Sequence, residues 1–232
     1  MSQPTIDRLV KALGTILLGK EPQIRLAVAC LLARGHLLLE DLPGMGKTTL
    51  SHALARVLGL SYQRIQFTSD LLPADIIGTS IFNPGSSHFE FRKGPVFAEV
   101  LLADEINRAT PKTQGALLEA MEERQVTVEG QSHPLPQPFF VIATQNPVTQ
   151  MGTFPLPESQ LDRFLMRIEL GYPDAMAERA LLQGKDRREL LAQLQPSLTP
   201  RELATLQQGV TQVFVSDALL DYIQALIRFT RQ

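Results

Sequence analysis

A short apolar run, Leu37 to Leu39, gives way to a Pro43-Gly44 turn and resumes through Gly46-Lys47-Thr48 into a helical pattern. No other stretch constrains the fold as tightly. Strand, glycine loop and helix in that order make a cradle for phosphate groups. The glycines leave backbone N–H groups free to face an anion, and the helix dipole turns its positive end toward it. In that geometry Lys47 reaches the β and γ phosphates, and the Thr48 hydroxyl is placed to ligate Mg²⁺. The strict spacing, Gly-x-x-x-x-Gly-Lys-Ser/Thr, is not met, because Asp41 stands where the first glycine belongs. Gly44, inside the loop, supplies flexibility instead. The plain alternative is a Gly-Pro turn beside a surface lysine, and the rest of the chain has to decide between them.

The chain in order predicts alternating helices and strands. Helical spacing covers 4–18 and 21–34, with Pro22 near a helix start. His36 to Glu40 reads as a buried strand, Lys47 to Leu58 as a helix and Tyr62 to Phe67 as a second strand. Ser80–Asn83 and His88–Arg92 flank Pro-Gly-Ser-Ser, a hairpin signal. Val96 to Asp104 is an apolar run. Thr110-Pro111 then opens a helix to about Glu123, with Thr110 as its cap. Gln125 to Leu135 alternates around Glu129-Gly130 as a second hairpin. Phe139 to Thr144 is a strand closed by Gln145-Asn146-Pro147, and Leu165 to Leu170 is the last. Helices alone follow, over 174–185, 187–194, 200–211 and 216–230. The expected fold class is α/β, a parallel sheet with helices on both faces, followed by an all-α part. The expected boundary divides an α/β domain, 1–171, carrying hairpins at about 80–92 and 125–135, from a helical domain, 172–232.

In an open parallel sheet, ligands bind at the carboxyl ends of the strands. Asp104-Glu105 ends one such strand. Asp104 is placed to hold Mg²⁺ opposite Thr48, and Glu105 to polarise the water that attacks the γ phosphate. Asn146 ends another, and its amide is placed to orient that water. Arg163 precedes a buried strand and either pairs with Asp162 or Glu158 or acts on a neighbouring subunit. The histidines, His36, His52, His88 and His133, show no ligand spacing, so no metal other than Mg²⁺ with ATP is expected. The acidic residues Glu119, Glu122 and Glu123 read as a solvated helix face.

LLLEDLPGMGKTTL, LLADEINRATPKTQGALLEAMEERQVTV, FFVIATQNP and LPESQLDRFLMRIELGYP, in that order over residues 37–173, together resemble the MoxR family of AAA+ ATPases. The sequence is also similar to the wider group with a hairpin inserted in helix 2. The resemblance implies that the loop residues Pro43, Gly44, Met45, Gly46, Lys47, Thr48 and Thr49 bind ATP, with Gly19 and Lys20 packing near the adenine. It implies Walker B roles for Asp104 and Glu105, a sensor role for Asn146 and an arginine finger at Arg163, with Arg108 a second residue near the interface. It further implies a ring, expected to be a hexamer, a von Willebrand factor A domain partner and a client protein. The two hairpins correspond to ones that face the central pore in related rings. Members of the family carry a second sensor arginine in a Gly-Ala-Ser-Pro-Arg-type motif beyond the point where this chain stops. None occurs before Phe229-Thr230-Arg231-Gln232, so the helical part is expected to be an incomplete lid.

Three functions follow as expectations. The first is Mg²⁺-dependent ATP hydrolysis by a ring that remodels or matures client proteins. The second is an ATP-gated assembly module with negligible turnover. The third, a nucleic-acid motor, predicts basic, aromatic pore hairpins, but only Arg92 and Lys93 end the first hairpin and the second carries Glu129. The net charge of −2 likewise gives no global reason to expect nucleic acid. The first residues lack a signal peptide's apolar core, and no apolar stretch approaches a membrane span. The single cysteine, Cys30, lies in an apolar helical pattern and is expected to be buried and inert. A cytoplasmic chain is the expectation.

Overall fold

The computed structural model describes residues 3–146, 152–184 and 186–231. Pro147 and Gln232, named above, and position 185, where one expected helix ends, lie outside these. At the centre is a five-stranded parallel sheet, ordered β2 (Tyr62–Gln66), β5 (Val100–Asp104), β8 (Phe140–Gln145), β1 (Leu37–Glu40) and β9 (Met166–Ile168). Successive side chains of a strand point to opposite faces, and here both faces are covered. Leu37 and Leu39 join Val100, Leu102, Phe140 and Ile142 in a core under α1 (Gln3–Gly14), α2 (Glu21–Leu32) and α3 (Lys47–Val57). Leu38 joins Leu101, Ala103, Val141 and Ala143 in a second core, beneath α4 (Pro73–Ile77) and α5 (Pro111–Glu123). Burial on both sides is why these strands read as continuous apolar runs. The α/β class with helices on both faces is as expected.

One local reading differs from the structure. The run from Val96 was expected to be strand throughout, yet Pro95–Phe97 form a 3₁₀ turn and β5 begins at Val100. Pro95 has no N–H to offer a ladder and its φ is fixed, so pairing starts only beyond it. The helix that should accompany the first hairpin is the short α4, for which the sequence pattern set no bounds. It has Pro73 in its first turn, and the Leu72 N–H donates to Asp75 Oδ2 at 2.8 Å, but it is too short to show a period.

Both hairpins form: β3 (Gly78–Asn83) with β4 (His88–Lys93), and β6 (Gln125–Val128) with β7 (Gln131–Pro134). They are tied together. Ser80 Oγ donates to Glu129 Oε2 at 2.9 Å, and the Phe91 and His133 rings stack with centroids 4.1 Å apart. Beyond the short helix α6 (Glu158–Leu161) and β9, the described residues form α7 (Ala175–Gln183), α8 (Arg187–Gln193), α9 (Pro200–Val210) and α10 (Asp217–Thr230). Each starts on a side-chain cap, Asp174, Asp186, Thr199 and Ser216 in turn. Gln207 on α9 donates to the Leu31 carbonyl at 2.8 Å, docking that helix on α2. No helix among the described residues is long and apolar enough to cross a membrane.

Cys30 is fully buried, and burial pushes its thiol up to about 12, so it stays protonated and unreactive. His36, just before β1, is also buried, and its Nδ1 accepts the Val141 N–H at 3.0 Å. Burial pushes this imidazole down from 6.5 to about 4, with the Arg124 charge adding to the effect. A proton on Nδ1 would set two donors against each other. The unfolded chain takes up that proton near pH 6.5, and the folded chain does not until about pH 4. His36 therefore contributes its full stability above about pH 6.5 and loses it as pH falls toward 4. The expected loss is about 2–3 kcal/mol, read as urea unfolding at neutral pH and near the lower end of that window. The His36→Gln variant should show a shallower pH dependence; an unchanged one would contradict this account.

Candidate active site

The parallel ladder sets Leu39 opposite Thr144, Glu40 opposite Gln145 and Ala103 opposite Ala143. Asp41, Asp104-Glu105 and Asn146 therefore leave the sheet side by side at its carboxyl edge, where open parallel sheets form ligand crevices. From β1 the chain turns through Gly44 and Gly46, with φ of +87° and +93°. A side chain at either position would be strained. Gly46 caps α3, whose first residue is Lys47.

Lys47 is buried, and its ammonium donates to the Asp41 carbonyl at 2.6 Å and to Asn146 Oδ1 at 3.1 Å. Burial lowers its pKa, while Asp104, Asp41 and Glu105 pull it back up. Asn146 Nδ2 donates to Glu105 Oε1 at 3.0 Å. Glu105 Oε2 accepts from Gln66 at 2.9 Å and pairs with Arg108 at 3.2 Å. The Glu105 backbone sits at φ +57°, and its N–H donates to Thr144 Oγ1 at 2.8 Å. That hydroxyl passes its own proton toward Asp104 Oδ1 at 2.6 Å. Arg64 grips the other Asp104 oxygen with Nη2 at 2.7 Å and Nε at 3.1 Å.

Lys47, Asp104, Glu105 and Asn146 thus stand in one connected network. Thr144, Arg64 and Gln66 belong to it and were not picked out from the sequence. Thr144 had a signal, being a hydroxyl inside the apolar run that ends two residues later at Asn146. Arg64 and Gln66 alternate along β2, as two polar side chains on one face do. Thr48 is exposed at the start of α3. Its hydroxyl and the Asp104 carboxylate are hard oxygen donors of the kind Mg²⁺ takes. No cluster of three or more His, Cys, Asp or Glu among the described residues is placed to hold a metal alone.

A cavity of about 220 Å³ opens beside the loop, with Gly44, Met45, Gly46, Thr49 and Lys20 in its wall. Pro43 is exposed and is not part of that wall. Gly19, at φ +70°, sits so close to α7 that an added Cβ would lie 2.8 Å from the Ala177 Cβ. Lys20 is buried and donates to the carbonyls of Gly171 at 2.8 Å and Tyr172 at 2.6 Å. It ties that part of the wall to the segment after β9. Another cavity, of about 250 Å³, lies at the amino ends of the strands near Arg34 and Arg124, and no residue of the network lines it.

Arg163 is not brought to the network. Its Nη1 donates to the Leu118 carbonyl at 2.6 Å and its Nη2 pairs with Glu122 at 2.7 Å, both on α5. Its partner is thus neither Asp162 nor Glu158. Glu122, in turn, is not merely part of a solvated face.

The sheet order, the glycine loop ahead of α3 and the acid pair at the carboxyl edge define an α/β module of the P-loop type. A profile of the ATPase family associated with various cellular activities (AAA) matches residues 36–166. The uncharacterized protein YeaC of Bacillus subtilis is 46% identical over 99% of this chain and 72% of its own length. The chaperone MoxR1 of Mycobacterium tuberculosis is 43% identical over 98% of this chain, which spans 60% of that protein. A crystal structure of a candidate ATPase from Cytophaga hutchinsonii superposes with a TM-score of 0.86 at 41% identity, covering 96% of this chain and 68% of that one. The chain belongs to the MoxR family of AAA+ ATPases.

The Thr144 hydroxyl is fully buried and bridges Asp104 to the Glu105 N–H. Replacing it with the near-isosteric valine leaves a buried donor and a buried acceptor unpaired. Thr144→Val should cost about 1–3 kcal/mol in denaturant unfolding. A loss below about 0.5 kcal/mol would show that the bridge is not needed to hold the acid pair.

Proposed function

We propose that this chain hydrolyses ATP with Mg²⁺ as a subunit of a ring, expected to be a hexamer, and uses the turnover to remodel or mature client proteins. The observation that supports this most is the continuous network from Lys47 through Asn146 and Glu105 to Thr144 and Asp104 at the mouth of the glycine loop. The backbone of Gly44 to Thr49 cradles the phosphates, and Lys47 moves from the Asp41 carbonyl onto the β and γ oxygens. Thr48 and Asp104 would hold Mg²⁺, which supplies charge neutralisation on those oxygens. Asn146 orients water, and Glu105 takes its proton as the water oxygen bonds to the γ phosphorus and the bond to ADP breaks.

Arg163 is read as the finger that completes the site of a neighbouring subunit. It is consistent with this that its guanidinium lies on α5 rather than in its own chain's network, with its side chain 32% exposed. Such fingers contribute roughly 10³–10⁵ in rate. Residues 172–232 are read as a lid over the nucleotide, with Gly19 and Lys20 at the adenine side. A relative named as a chaperone supports a protein client. So do Phe82 and Phe89, which pair edge-on at 5.4 Å on the first hairpin and are 50% and 69% exposed. A von Willebrand factor A domain partner and a cytoplasmic setting complete the reading. The rival, an ATP-gated assembly module, draws on the fact that both Glu105 oxygens are already hydrogen-bonded.

Turnover per subunit measured against protein concentration separates the two. Specific activity should climb with concentration, Glu105→Gln should fall by about 10²–10⁴, and added Arg163→Ala subunits should poison the mixture. ATP binding with turnover no higher than the Glu105→Gln variant at every concentration would favour the assembly module.

A further inference from the structure

Asp41 places an anion at the mouth of a loop read as a site for a more highly charged anion. Two features explain how it is accommodated. Its φ is not positive, so a side chain costs no strain where the strict motif has glycine. Both oxygens of its carboxylate also accept from backbone donors. Oδ1 accepts the Leu42 N–H at 2.8 Å, and Oδ2 accepts the N–H groups of Leu170 at 2.9 Å and Gly171 at 2.7 Å.

Those last two contacts cross the molecule. Residues 170–172 lead from β9 to Asp174, which caps α7. The carbonyls of this segment also have partners. Gln23 donates to that of Leu170 at 3.4 Å, and Lys20 donates to those of Gly171 and Tyr172. Gly171 itself lines the cavity beside the loop. Asp41 therefore has two hands. Its main-chain carbonyl accepts the Lys47 ammonium at 2.6 Å, and its carboxylate holds the segment that leads from the sheet to the next helix.

We infer that Asp41 is a positioning residue that couples occupancy of the glycine loop to the Leu170–Tyr172 segment, and so to the orientation of α7 over the nucleotide. The inference rests on the nucleotide reading above. A polyphosphate that draws Lys47 off the Asp41 carbonyl acts on the same residue that grips Leu170 and Gly171. By reciprocity of linkage, whatever the ligand does to that grip, the grip does to ligand affinity.

The test uses the full chain, its Asp41→Gly and Asp41→Asn variants, and the imido analogue of ATP with magnesium. Binding is titrated at equilibrium, and amide hydrogen exchange is followed at residues 170 and 171 with and without the analogue. In the wild type, the analogue should slow exchange at both amides. Asp41→Gly, with its fold checked by a circular-dichroism melt, should bind about five- to tenfold more weakly. Its exchange at 170 and 171 should be fast and indifferent to the analogue. Asp41→Asn keeps one oxygen acceptor and should fall between, and it carries the comparison if the glycine variant does not fold. Wild-type affinity in Asp41→Gly, or wild-type exchange at 170 and 171 that ignores bound analogue, would overturn the coupling. Absence of binding by the wild type would instead sink the nucleotide reading, and is seen before any variant is compared.

Discussion

The parallel register of β5, β8 and β1 is the constraint on which the rest depends. It aligns three strand ends at one edge, so that a loop carbonyl, a pair of acids and an amide meet although they lie about a hundred residues apart at the extremes. A slip of β8 by one residue would turn Thr144 and Asn146 to the wrong faces and break the link between Asp104 and Lys47. The register is itself fixed by burial. Leu37, Leu39, Phe140 and Ile142 belong to one core, and Leu38, Val141 and Ala143 to the other, so a slip would exchange whole sets of side chains between two packed layers.

On that edge the charges suit the anion proposed above. A buried ammonium is costly unless it is paired or hydrogen-bonded, and Lys47 is held by a carbonyl and an amide oxygen rather than by a direct carboxylate contact. Those neutral partners can be surrendered to phosphate at less cost than an ion pair. The acids stand one step further out, each with an arginine on its far side, Arg64 on Asp104 and Arg108 on Glu105. Both arginine side chains are about half exposed, at 47% and 49%, whereas the carboxylates they meet are only 11% and 21% exposed.

Most of the architecture was legible in the sequence because its signals are local. Apolar runs that end in Glu40-Asp41, Asp104-Glu105 and Gln145-Asn146 announced the buried strands and their functional edge. Thr110-Pro111 announced the start of α5, where Thr110 caps and Pro111 leads. What stayed hidden were partnerships between distant positions. Nothing near Asp41 points to Leu170 and Gly171, about 130 residues on, and the substitution read as a mere departure from the strict loop. Arg64 with Asp104 and Arg163 with Glu122 are of the same kind: each side chain looks ordinary until the fold supplies its neighbour. Pro95 was visible, but its effect on where β5 begins depends on which strand lies beside it, which one sequence does not state.

Lys47 is read here as parked, ready to pass from the Asp41 carbonyl and Asn146 to a nucleotide's phosphates. An equilibrium titration of the imido analogue of ATP with magnesium into the wild type and Lys47→Ala tests it most directly. The wild type should bind saturably, and removing the ammonium should weaken binding by roughly ten- to a hundredfold, the scale of a charge-assisted hydrogen bond. Equal affinity in the two proteins would contradict it.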